Sequence, residues 1–137
     1  MVEDKELTIV NTHFSHVSNE ARSESIDTIK NLYQKNYSHT PFVLMGDFNT
    51  KPSQGLVASL QDGLTSCWDL FPSTHQLTFH GYTNKTEGEP IDYIFTSKHI
   101  DINNVKIHYN ANKTIYVSDH YPISIECKFD QKGTISK

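Results

Sequence analysis

Four consecutive apolar residues, Phe42-Val43-Leu44-Met45, are followed at once by Gly46-Asp47-Phe48-Asn49. In an extended chain, successive side chains point to opposite faces. A run without a polar member therefore needs cover on both faces, as in an inner strand of a layered α/β domain. Gly46 lets the backbone turn sharply, so that Asp47 projects from the sheet edge, and Asn49 follows two residues later. A carboxylate there can orient a water or hold a hard cation, and an amide can donate to a developing oxyanion. The same four residues also suit an ordinary Asx turn at a strand end.

The remaining elements fit around that strand. With 137 residues, the chain is one compact domain or part of a larger one. Leu7–Asn11 reads as a buried strand ending near Thr12-His13, and a helix is expected from about Ser18 to Asn36, capped by Ser18 or Asn19. Ile26, Ile29 and Tyr33 recur at helical spacing, with Leu32 widening the stripe. Pro52 suits the first turn of a short helix with Leu56, Val57 and Leu60 inward and Gly63 at its end. Residues 61–90 read as loop-rich, and Ile91–Phe95, Val105–Tyr109 and Ile123–Phe129 as strands. Gln131 to Lys137 reads as a frayed tail. The order β-α-β-α followed by strands predicts a mixed α/β layered domain.

Charge and composition narrow the function classes. Lys plus Arg number 12 against 16 Asp plus Glu, a net charge of −4, so the chain lacks the basic excess of a nonspecific nucleic-acid binder. A phosphate substrate remains compatible, because a bound divalent cation inverts the local field. No apolar run is long enough to span a membrane, and the charged start Met1-Val2-Glu3-Asp4-Lys5 carries no secretory signal, which points to the cytoplasm. Cys67 and Cys127 stand far apart outside any CxxC pattern and read as reduced, packed thiols.

Four polar clusters sit where strands begin or end: Asn11-Thr12-His13, Gly46–Asn49, Asp92 and Ser118-Asp119-His120. Open α/β sheets place ligand sites at such ends. In Asp119-His120 the neighbours should point to opposite faces, so the group that orients His120 comes from elsewhere. Asp92 interrupts an apolar run, where a carboxylate needs a partner if buried. An Asp–His pair fixes the imidazole tautomer and raises its basicity. His13 ends the first strand, and His80 lies in the loop Thr78-Phe79-His80-Gly81, while the other histidines read as surface or packing residues.

The ordered set Asn-Thr-His, Gly-Asp-Phe-Asn, Thr-Phe-His-Gly, Ile-Asp-Tyr-Ile-Phe and Ser-Asp-His-Tyr-Pro, spanning residues 7–125, resembles the endonuclease/exonuclease/phosphatase superfamily. The resemblance implies a deoxyribonuclease I-like four-layer α/β/β/α sandwich and hydrolysis of phosphate esters with Mg²⁺ or Mn²⁺. His120 resembles the base-side histidine oriented by Asp92, and Asp47 the residue that positions the attacking water. Asn49 is similar to a phosphate-oxygen donor and His13 to the histidine near the leaving group. Asp119, with Asp47, resembles a metal-site carboxylate, and Asn11 and His80 are substrate-side residues by the same likeness.

Members of that superfamily are about twice this length, and the chain matches only their C-terminal half, as residues 1–130. The early strand and the Glu that serves as main metal ligand have no counterpart, since Glu3 and Glu6 lie too close to the first motif. The expected fold is therefore half of the sandwich, a mixed sheet with helices on one face. The bare second face should be covered by a second copy or by a partner supplying the other half. The leading functional expectation is a metal-dependent phosphoesterase acting by in-line water attack. The alternative is a catalytically incomplete half-domain that acts only when assembled. Nucleic acid is a possible substrate that the net charge does not favour.

Overall fold

A computed structural model describes residues 6–72, 76–109 and 115–129. The segment 131–137, expected as a tail, lies outside the described residues. The elements in chain order are β1 (Thr8–His13), α1 (Asn19–Asn36), β2 (Phe42–Asp47), β3 (Leu64–Ser66), α2 (Cys67–Leu70), β4 (Asp92–Ser97), β5 (Ile100–Ile107) and β6 (Ile123–Phe129). Two 3₁₀ turns, Pro52–Gln54 and Leu56–Gln61, occupy the place of the expected short helix, broken by Gly55 at φ 70°. Strands β1 to β4 form one mixed sheet in the order β1-β2-β4-β3, and β5 and β6 form a separate antiparallel pair.

β1 runs parallel to β2, and β4 runs antiparallel to it. The register sets His13 opposite Asp47 and Asp47 opposite Asp92, so one rung across three strands carries three polar groups. Gly46 makes this rung possible. Its φ is 140°, and a Cβ there would stand 1.8 Å from the carbonyl oxygen of Thr12 on β1. Only glycine lets β1 and β2 approach to this distance in this conformation.

α1 begins at Ser18, whose side chain accepts from Ala21 N, and buries Arg22, Ile26, Ile29 and Tyr33 along one stripe. Leu32, expected to widen the stripe, is 37% exposed. The Tyr33 ring lies 5.1 Å from that of Phe42, which places α1 on the Phe42/Leu44 face of the sheet. By strand alternation and register, Tyr93 and Phe95 share that face. Phe42, Leu44 and Phe95 are completely buried there, with Phe48 closing the end of the core.

The second face is not left wholly bare, which corrects the expectation. β5 and β6 pack over its β4 side, bringing Ile100, Val105 and Ile107 into the common core, and Val43 and Ile94 are buried beneath. The gap lies over β1, where Ile9 is 55% exposed. A hollow of about 170 Å³ between Asn11, Met45, Ile94 and Ile123 continues it toward Asp92. The layers are thus one helical layer, the four-stranded sheet, and a two-stranded fragment of a second sheet. Among the described residues no helix is long and apolar enough to cross a membrane. Both cysteines are free; Cys67 is buried as expected, whereas Cys127 is exposed on β6.

Candidate active site

Where β1, β2 and β4 reach the same sheet end, a cleft of about 470 Å³ opens between His13, His16, Asp47, Asn49, Phe79, Asp92, Asp119 and His120. His120 Nδ1 stands 2.8 Å from Asp92 Oδ2. With the Nδ1 proton donated to Asp92, Nε2 is left as the acceptor and faces Asp47 Oδ2 at 3.7 Å. His13 Nε2 approaches the same oxygen from the other side at 3.4 Å. One carboxylate oxygen thus stands between two imidazoles.

The backbone around Asp47 holds this arrangement. Asp47 Oδ1 accepts from Asn49 N at 2.8 Å, an Asx-type turn that leaves Asn49 in the left-handed region at φ 48°. The Asn49 amide donates to Phe14 O at 2.9 Å and to Asp47 Oδ2 at 3.2 Å, which ties the end of β1 to the end of β2. Both amide hydrogens are therefore engaged, and donation to a phosphate requires the Asp47 bond to yield.

Burial and neighbouring charge tune these groups. Burial pushes the Asp47 carboxyl up from its ordinary 3.8, aided by the nearby Asp92 charge and opposed by the Asn49 backbone N–H and the two histidines. His120 is raised from 6.5, chiefly by its hydrogen bond to Asp92, against the opposing effect of burial. Ligand atoms of Asp47, Asp92 and His120 all lie within 4.8 Å of one another, so the three could hold a metal ion. Two carboxylates beside an imidazole suit an oxygen-seeking cation such as Mg²⁺, which keeps several waters and takes one or two protein carboxylates. Asp119 lines the same cleft but stands outside that group.

The sequence-derived candidates separate cleanly. His13, Asp47, Asn49, Asp92, Asp119 and His120 converge on the cleft. Asn11 is exposed on β1 and lines the neighbouring hollow instead. His80 does not line the cleft: it is buried, its ring 4.1 Å from that of Tyr121, and its Nδ1 has no hydrogen-bond partner among the described residues. Its backbone serves the site, because the amides of His80 and Gly81 both donate to Asp119 O, at 2.8 and 3.1 Å. Two residues that reading the sequence did not single out join the cleft. Phe79 is 43% exposed, with its ring 5.1 Å from that of His120, and His16 lies in the middle of the β1–α1 connection. Behind them, the completely buried Thr78 accepts through Oγ1 from Ile91 N at 3.0 Å and Asp92 N at 3.2 Å. Trp68 Nε1 donates to Asp92 O at 2.9 Å. Asp92 is therefore fixed from both sides.

The fold has relatives of known structure. A conserved protein from Enterococcus faecalis of unknown function superposes with a TM-score of 0.75 at 22% identity, over 89% of this chain and 50% of that one. A mannosyl-6-phosphatase from Bacteroides thetaiotaomicron gives 0.70 at 20% identity, over 88% and 51%. Danio rerio TDP2, solved with a single-strand DNA product, gives 0.70 at 16% identity, over 88% and 55%. These likenesses define the class: a deoxyribonuclease I-like α/β fold, of which the chain spans about half the length of the solved relatives. The comparison with curated proteins finds no match. Residues 5–120 match the model of the endonuclease/exonuclease/phosphatase family, and the chain belongs to that family.

Proposed function

We propose that the chain forms a divalent-metal-dependent phosphoesterase site on the C-terminal half of the family's catalytic fold. The convergence of Asp47, Asp92 and His120 carries this reading. Asp47 and Asp92, with Asp119 beside them, would hold Mg²⁺ or Mn²⁺, which when bound neutralises charge on the phosphate oxygens. Asp47 Oδ2 and His120 Nε2 then hold the attacking water between them. Nε2 takes its proton, and Asp92 stabilises the imidazolium that forms. The water oxygen bonds to phosphorus as the opposite ester bond breaks. His13 and Asn49 act from the β1 side, His13 toward the leaving group and Asn49 toward a phosphate oxygen.

The cleft favours a compact substrate. Among the described residues, no Lys or Arg lines it, whereas long polyanions are held by such cations. Phe79 supplies an apolar wall beside His120, suited to the non-phosphate part of a small ester. Nucleic acid is a weaker candidate on the same ground, and the acidic net charge and free thiols fit a cytoplasmic setting.

A second reading has its own support. The chain covers 50% of a relative that it matches, and the second sheet face is open over Ile9 and His13. On this reading a second copy, or a polypeptide supplying the other half, covers the face and contributes the remaining metal carboxylate. Hydrolysis of a generic phosphodiester in Mg²⁺ or Mn²⁺, with Asp47→Ala as control, tests the first reading. Metal-dependent turnover lost in the variant supports a site complete in this chain. Turnover that appears only after adding the missing half supports assembly, and turnover unchanged in Asp47→Ala contradicts both.

A further inference from the structure

Arg22 occupies the first position of the buried stripe of α1, ahead of Ile26 and Ile29, and is only 7% exposed. Among the described residues it forms no ion pair with a carboxylate. Burying a guanidinium without a counter-ion is costly, and an aliphatic side chain could fill this helix position without that cost. The side chain spends its donors locally. Nη1 donates to Ser15 O at 2.6 Å, Nη2 donates to Asn19 Oδ1, and among the described residues Nε has no hydrogen-bond partner. Ser15 in turn accepts through Oγ from Ser18 N at 3.2 Å, closing the connection between β1 and α1.

His13, the last residue of β1, immediately precedes that connection and His16 lies within it; these are the two cleft histidines whose side chains are largely exposed. Exposed imidazoles make few packing contacts, so their position is set by the backbone beneath them. On the β1 side, Phe14 fixes the backbone, donating to Asp47 O at 2.8 Å and accepting from Asn49. Beyond Phe14, the guanidinium is the group that reaches from the helix back to the loop. We propose that Arg22 is a positioning residue, clamping residues 15–19 so that His13 and His16 face the substrate. The proposal rests on the phosphoesterase reading only for what those histidines then do. It is distinct from an anion site at the helix start, since the Glu20 carboxylate already accepts from Ser18 Oγ there.

Amide hydrogen exchange and imidazole NMR on the full chain test it without using catalysis. Arg22→Met should raise exchange at the Ser18 amide about tenfold, the factor set by losing one charge-assisted bond. It should also shift the His13 and His16 ring signals, while His120 and the amides of β2 and β4 stay as in the parent. Arg22→Lys, with one point donor in place of a fork, should restore these only in part. Unchanged Ser18 exchange and unchanged His13 and His16 signals would overturn the proposal. So would equal acceleration in β2 and β4, which would mark Arg22 as a general stabiliser. If Arg22→Met does not fold, Asn19→Ala removes one acceptor alone and should shift the same signals less; no local change there also overturns it. Failure of phosphoester hydrolysis would leave these outcomes unaffected.

Discussion

At the residue scale, the Asp92–His120 pair is the most consequential contact. Its existence was readable from sequence, because a carboxylate inside the apolar run Ile91–Phe95 needs a partner. The hydrogen bond raises the His120 pKa above 6.5. Asp92→Asn should bring it back down, as read by the ring signals of metal-free protein across pH. The sign for stability follows from linkage. A raised folded-state pKa gives stabilisation that is full below the ordinary histidine value and is lost as pH rises through the raised one. The gap in urea midpoint between parent and Asp92→Asn should therefore be widest below 6.5 and close above the raised value. Thr78 was not readable. Its hydroxyl matters only because the loop folds back to meet the amides of Ile91 and Asp92, and nothing local in Thr-Phe-His-Gly announces that. Thr78→Val keeps the shape and strands two amides, so it should cost about 1–3 kcal/mol in urea unfolding. His80 was misleading for the same reason: a loop histidine beside an aromatic signals substrate contact, yet its ring is packed under Tyr121.

At the element scale, long periodic segments were legible and short or irregular ones were not. The helix that became α1 followed from 3.6-residue spacing, β1, β2 and β4 from short apolar runs, and β6 with the second part of β5 from alternation. β3 has three residues and α2 has four, too few for any period to show. In β5 the register shifts between Ile102 and Asn104. That bulge puts Ile100 and Ile102 out of phase with Val105 and Ile107, so sequence alternation revealed only the second part. β1 and β2 approach closely at Gly46. Gly46→Ala forces either a collision with the Thr12 carbonyl or separation of the strands at the rung that carries His13 and Asp47. A loss of about 2–4 kcal/mol is expected, in the range of strained backbone and core disruption, measured by chemical denaturation. Gly55→Ala is a useful contrast, because its added Cβ meets nothing within 4 Å and only the φ of 70° resists it.

At the scale of the whole molecule, the helical layer, the four-stranded sheet and the β5–β6 pair leave one face uncovered over β1. The all-apolar β2 run pointed to a cover on both faces, but not to the β5–β6 pair as a partial one, since that pairing joins segments separated by a long connection. If the other half of the fold docks there, Ile9→Asp should change the chain's own stability by no more than about 0.5 kcal/mol, as for an exposed position. It should nonetheless abolish co-sedimentation with that half. The proposed cation site at Asp47 and Asp92, beside His120, can be tested whether or not the chain turns over substrate by itself. The measurement is titration with Mn²⁺ while following NMR line broadening along the chain. The expected result is broadening confined to residues around Asp47, Asp92, Asp119 and His120, competed by Mg²⁺ and lost in Asp47→Ala. Broadening that is absent, or that persists unchanged in Asp47→Ala, would contradict it.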